Sequence, residues 1–159
     1  AIELDRPLVL HSFDPNPMPP EACQLNHSLS SIVKDVLLGV RASRQPCTAS
    51  IDRISLTLHP VRWQDGQIES FEADAVYHDP FAPQVNPDCW TPDTFKWAAK
   101  HLKHSGRLAT YSAAGHIRRA MRDAGMVVAR APGFGPKREM TVASMDDKAL
   151  HPLNIKYRP

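Results

Sequence analysis

The stretch Ala73-Asp74-Ala75-Val76-Tyr77-His78-Asp79-Pro80-Phe81-Ala82-Pro83 carries the reading of this chain. Ala73 to Tyr77 is an apolar run with the character of a buried strand, and the two prolines that follow cannot continue a strand or helix. An acid and an aromatic ring therefore sit on a rigid turn at a strand's C-terminal end. In open α/β sheets ligands bind beyond the carboxyl ends of the strands, so Asp79 and Phe81 are expected to face a crevice. The residues also allow a second reading, in which Asp79 is a turn acid holding backbone N–H groups and Phe81 a buried plug.

Working outward, Pro7 to Phe13 reads as a strand stopped by Asp14-Pro15-Asn16-Pro17. Ser28 can cap a helix running to Gly39, with Leu29, Ile32, Val33, Val36 and Leu37 on one face. Ile51 to Leu58 alternates as a strand with one buried side, and Trp63 to Phe71 is turn-like. Beyond the opening stretch, Thr91-Pro92 is a cap and first-turn proline for a helix to about Lys103, after which Gly106 ends the connection. A strand from Arg107 to Ser112 and a helix from Ala114 to Gly125 follow. Met126 to Ala131 and Met140 to Ser144 are strands too close together for a crossover helix, so they should pair antiparallel. Asp146 to Pro159 gives no clear pattern. The order predicts one α/β domain over residues 1–159, a mostly parallel sheet with a C-terminal antiparallel hairpin.

The 159 residues, 42% apolar and 23% charged, are enough for a globular core and argue against disorder. No apolar run could span a bilayer and no secretory signal is visible, so a cytoplasmic protein without a membrane partner is expected. Three cysteines without C-x-x-C spacing and eight scattered histidines suggest neither a disulfide framework nor a metal site. Net charge is only +2, yet Arg107, Arg118, Arg119, Arg122, Arg130, Lys137 and Arg138 share a window whose one acid is Asp123. A basic surface of this kind suits an anionic partner.

A carboxylate on a proline-flanked loop can accept a hydrogen bond from an amine while the adjacent ring stacks on an extruded base. Asp14, at the end of the first visible strand, would point to the same rim and could accept from a ribose diol. Trp90 can stack on a substrate or pack within the fold, and His59 and His78 read as strand-end or core histidines.

Three segments, "DAVYHDPFAPQVNPDCWT" (74–91), "RLATYSAAGHIRRAMRDAGM" (107–126) and "GFGPKREMTVAS" (133–144), together with a weaker match over Leu8–Asp14, resemble a known family. It is the methyltransferase domains of the tRNA 5-methylaminomethyl-2-thiouridine biosynthesis proteins (MnmC-like). The resemblance implies a Rossmann-like, S-adenosylmethionine-dependent enzyme that methylates the aminomethyl group on a wobble uridine of tRNA. It makes Asp79 the active-site acid with Phe81 beside it and gives Asp14 the cofactor ribose. With a tRNA substrate, Trp90 can contact the substrate and Arg118, Arg119, Lys137 and Arg138 can meet its phosphates, or these four cations are a solvated helix face and a hairpin-loop salt bridge to Glu139. No flavin domain is implied, because no dinucleotide fingerprint is visible.

Two departures accompany the resemblance. Nothing before Leu8 supplies the family's first central strand and glycine-rich turn, so in a 3-2-1-4-5-7-6 order an N-terminal segment or second chain would have to complete the sheet. His59-Pro60 also stands where the family carries a Gly-Asp whose acid contacts adenosine. A catalytically silent tRNA-binding or assembly module, and a methyltransferase for another amine or base, are the alternative readings.

Overall fold

The structure is a computed structural model and describes residues 6–24, 29–66, 68, 71–133 and 139–153. The chain divides into two compact units, residues 1–66 and 67–159, each with its own sheet.

In the first unit, β1 (Leu8–Phe13) pairs parallel with β3 (Ile54–His59), and β3 pairs antiparallel with β2 (Cys47–Ile51), giving the order β1-β3-β2. The single strand expected from Ile51 to Leu58 is thus a hairpin. Its two-residue turn, Asp52-Arg53, puts Asp52 at φ 52, a left-handed conformation that a short polar side chain tolerates. Without glycine, asparagine or proline, the turn gives little sequence signal. Helix α1 (Ser30–Ser43) buries Ile32, Val36, Leu37 and Val40, the last three in a cluster with Leu58 and Cys23. It passes through Gly39 instead of stopping there and ends at Arg44, whose left-handed backbone returns an N–H to the Val40 carbonyl. Gly39 serves close approach, since a Cβ there would run into Cys47 Sγ. The expected cap Ser28 lies outside the described residues.

In the second unit the order is β4-β5-β7-β6. β4 (Ala73–His78) lies parallel to β5 (Leu102–Thr110), while β7 (Glu139–Ser144) is antiparallel to both β5 and β6 (Val127–Pro132). Gly106 sits inside β5, at an irregularity where the register jumps from Ala73↔Leu102 to Ala75↔Arg107. A Cβ there would lie 2.9 Å from the Ala73 carbonyl oxygen, so the bulge requires glycine. Helices α2 (Pro92–His101) and α3 (Gly115–Asp123) bury Phe95, Ala98, Ile117 and Met121. The Thr91 hydroxyl caps α2 by accepting from the Thr94 amide. Leu150, in a 3₁₀ segment over Asp147–Leu153, is fully buried against Ala129 and Val142, so part of the unassigned tail is core. Of the five strand pairings described, β1/β3 and β4/β5 are parallel and the others antiparallel. β1 and β4 are each an edge strand of their sheet. No helix among the described residues is long and apolar enough to cross a membrane.

Candidate active site

β4 delivers its last residues to the rim of the second sheet with alternating exposure: Tyr77 is 82% exposed and His78 only 4%. The His78 imidazole lies edge-on to Trp90 and Phe95, with ring centroids 4.7 and 5.2 Å away. Burial pushes its pKa down to about 4, against a smaller upward pull from a backbone hydrogen bond with Cys89. It is a neutral core histidine at the base of the loop, as its strand-end position suggested.

The turn that follows is held by its carbonyls. Tyr111 Oη, just beyond β5, donates to the Pro80 carbonyl at 2.9 Å, and Trp90 Nε1 donates to the Phe81 carbonyl at the same distance. The two rings that make these bonds meet edge to face at 5.7 Å. With the backbone fixed from behind, the side chains face outward: Asp79 is exposed and the Phe81 ring is 73% exposed. Phe81 is therefore not a plug. Burial, and then the charge of nearby Asp79, hold the Tyr111 phenol above its usual pKa. Beyond the turn, the Val85 and Asn86 amides both donate to the Ala82 carbonyl, leaving Val85 exposed as well.

Trp90, grouped from the sequence with the substrate-binding residues, is 5% exposed and faces His78 and Tyr111; in this structure it positions the loop. Tyr111 received no role from sequence reasoning. Its signal was a polar aromatic at the end of the neighbouring parallel strand, where a side chain can reach the next strand's loop.

In the first unit, the Asp14 amide donates to the His59 carbonyl at 3.0 Å, and its Oδ1 accepts from the Asn16 amide at 2.9 Å, an Asx turn. At the adjoining end of β3, the His59 ring stacks on Phe13 at 4.7 Å and its Nε2 lies 3.0 Å from His11 Nδ1. Burial lowers the pKa of both histidines, and the charge His11 would carry lowers that of His59 further. Asp14 and Asp79 belong to different units.

Arg118 lies on α3 in a group of arginines, whereas Lys137 and Arg138 lie outside the described residues. Glu139 bonds to Arg130 Nη1 at 3.1 Å. Among the described residues, no three His, Cys, Asp or Glu side chains gather as metal ligands would.

The chain is 52% identical over 75 residues to the tRNA 5-methylaminomethyl-2-thiouridine biosynthesis bifunctional protein MnmC of Ralstonia nicotianae, covering 47% of this chain and 11% of that protein. It is 41% identical over 84 residues to the protein of the same name from Vibrio campbellii, covering 53% of this chain and 12% of that one. The chain thus matches only about a tenth of the length of these relatives. The crystal structure of MNMC2 from Aquifex aeolicus shares the fold, with a TM-score of 0.68 at 22% identity over 92% of this chain and 48% of that one. Residues 24–146 match the S-adenosyl-L-methionine-dependent methyltransferase family, and the chain belongs to that family.

Proposed function

We propose that this chain takes part in methylating the aminomethyl group of a modified wobble uridine in tRNA, with Asp79 handling the amine and Phe81 stacking on the base. The observation that carries the reading is the doubly clamped loop: the Pro80 and Phe81 carbonyls are held by Tyr111 and Trp90, and the Asp79 carboxylate and Phe81 ring face outward. The names of the curated relatives support the substrate class.

Bound S-adenosylmethionine supplies a methyl group on a sulfonium, which the amine lone pair takes as the carbon–sulfur bond breaks. An alkylamine is mostly protonated near neutral pH, so a base must free its lone pair. Asp79 accepts the amine proton or a hydrogen bond from the neutral amine, aligning the lone pair. Phe81 offers the base an exposed face at low conformational cost. Asp14 fits a ribose diol, because its carboxylate stands at a strand end with Oδ1 oriented by the Asn16 amide. His59-Pro60 brings no carboxylate to adenosine, and the His59 ring is buried against Phe13.

In the same proposal, Arg118, Lys137 and Arg138 meet tRNA phosphates, the setting is the cytoplasm, and a strand from a preceding segment or a second chain pairs with β1. That last element is supported by the edge position of β1, whose Val9 is 62% exposed. The test is transfer of labelled methyl from S-adenosylmethionine to tRNA bearing aminomethyl uridine, run beside calorimetry with the cofactor. Incorporation at that nucleoside supports the proposal. Binding of tRNA without cofactor binding or incorporation would instead identify a silent tRNA-binding module.

A further inference from the structure

Gly115, Arg118, Arg119 and Arg122 follow one another at helical spacings of three, one and three, so they line one side of α3. With Val128 and Arg130 of β6 they enclose a pocket of about 230 Å³. Like charges at these spacings repel, and the structure relieves them only in part. Arg130 is bonded to Glu139 through both carboxylate oxygens, at 3.3 and 3.1 Å. Arg118 is in a different position: its Nη1 is buried and has no hydrogen-bond acceptor among the described residues. Desolvation, and then the charge of Arg130, push the Arg118 pKa down; Glu139 offsets part of this and Arg122 adds to it. A buried guanidinium donor without an acceptor is costly unless a ligand supplies one. The N-terminus of α3 opens at Gly115 without a side-chain cap, adding its positive end to the same pocket.

We propose that the pocket between α3 and β6 holds one backbone phosphate of the RNA substrate, with Arg118 donating to it from the floor and Arg119 and Arg122 closing around it. The proposal rests on the tRNA reading above and makes it specific. A phosphodiester has what the pocket lacks: a negative charge and acceptor oxygens that match the guanidinium fork. The contact reads no base, so it sets the register of the RNA without discriminating sequence.

The experiment measures tRNA affinity by fluorescence anisotropy across a salt series for the wild-type chain, Arg118→Gln and Arg41→Gln. Arg41 is a control in the first unit, already paired with Glu21 at 3.0 Å. Arg118→Gln should weaken binding by about tenfold at low salt and lower the slope of log affinity against log salt by roughly 0.7 to 0.9, the value of one phosphate contact. Arg41→Gln should leave the slope unchanged. If Arg118→Gln misfolds by circular dichroism, the exposed Arg119→Gln tests the same pocket. An unaltered slope in the pocket variant, or an equal fall in Arg41→Gln, overturns the proposal while the tRNA reading stands. Inorganic phosphate titrated alone separates the sources: phosphate binding that Arg118→Gln abolishes, with the tRNA slope intact, makes this a free-anion site and overturns the RNA assignment. A wild-type chain that binds no tRNA at any salt sinks both readings.

Discussion

Trp90 Nε1 donates to the Phe81 carbonyl at 2.9 Å from a ring that is itself 5% exposed, so a core residue sets the backbone of an exposed loop. Tyr111 does the same one residue earlier, at the Pro80 carbonyl. Tyr111→Phe deletes one donor facing an exposed loop that water can solvate, so it should cost only about 1 kcal/mol of stability, whereas Trp90→Phe also shrinks a buried ring and should cost more. Because the two rings touch and hold adjacent carbonyls, their effects on methyl transfer should couple in a double-mutant cycle by about 0.5 kcal/mol or more. Strictly additive losses would mean that the loop is held by something else.

Asp79 is exposed, so replacing it should leave folding within about 0.5 kcal/mol of wild type. Its proposed proton-accepting role predicts a far larger effect on chemistry. Asp79→Ala should reduce methyl incorporation by about 10²-fold or more, the usual contribution of a positioned acid or base. Asp79→Asn keeps an acceptor but cannot take a proton, so it should recover part of the rate only at alkaline pH, where the amine is already neutral. Wild-type turnover by Asp79→Ala would remove the residue from the mechanism.

The strand-and-loop unit around Asp79 was legible because its signals are local: an apolar run, an abrupt pair of prolines, and the Thr91-Pro92 start of α2. The β2/β3 hairpin was not, since Asp52-Arg53 makes a left-handed turn without the residues that usually announce one. Gly39 and Gly106 were read as ends of elements, yet both are set by long-range approach, one to Cys47 and the other to Ala73. The same limit applies at the site. A proline-flanked acid is visible in a string of residues, whereas the Tyr111 and Trp90 clamps depend on pairing β5 beside β4 and folding a 3₁₀ turn over Pro87–Trp90. Arg118 stood out by charge, but its buried donor is a property of packing.

Gly39 offers a direct test of that packing. In a helix interior, Gly→Ala usually stabilises by close to 1 kcal/mol. Here the new methyl would meet Cys47 Sγ, with Cys47 Cβ only 3.1 Å away, so crowding of α1 against β2 should win. Gly39→Ala is expected to destabilise the first unit by about 1–3 kcal/mol in urea unfolding. In a Cys47→Ala background the sulfur is gone, and the same substitution should become neutral or stabilising. Persistence of the full penalty in the double variant would mean that the Cys47 sulfur is not the source of the clash.

His78 ties the stability of the loop's foundation to pH. Its folded pKa is about 4, while the unfolded chain titrates near 6.5, so between these values the unfolded state binds more protons and stability rises with pH. The stabilisation is fully present above about pH 6.5 and is lost as pH falls toward 4, a change of about 3 kcal/mol when the shift is converted. Burial causes the shift, since a charged imidazole edge-on to Trp90 and Phe95 would lose its hydration. Unfolding midpoints measured from pH 7.5 to 4.5 should therefore decline, and His78→Gln, which cannot titrate, should show a shallower decline through the same window. His78→Gln also removes ring contacts, so only the slope against pH, not the absolute midpoint, reports the histidine. A slope identical to wild type would mean that the imidazole is not the group whose protonation weakens the fold.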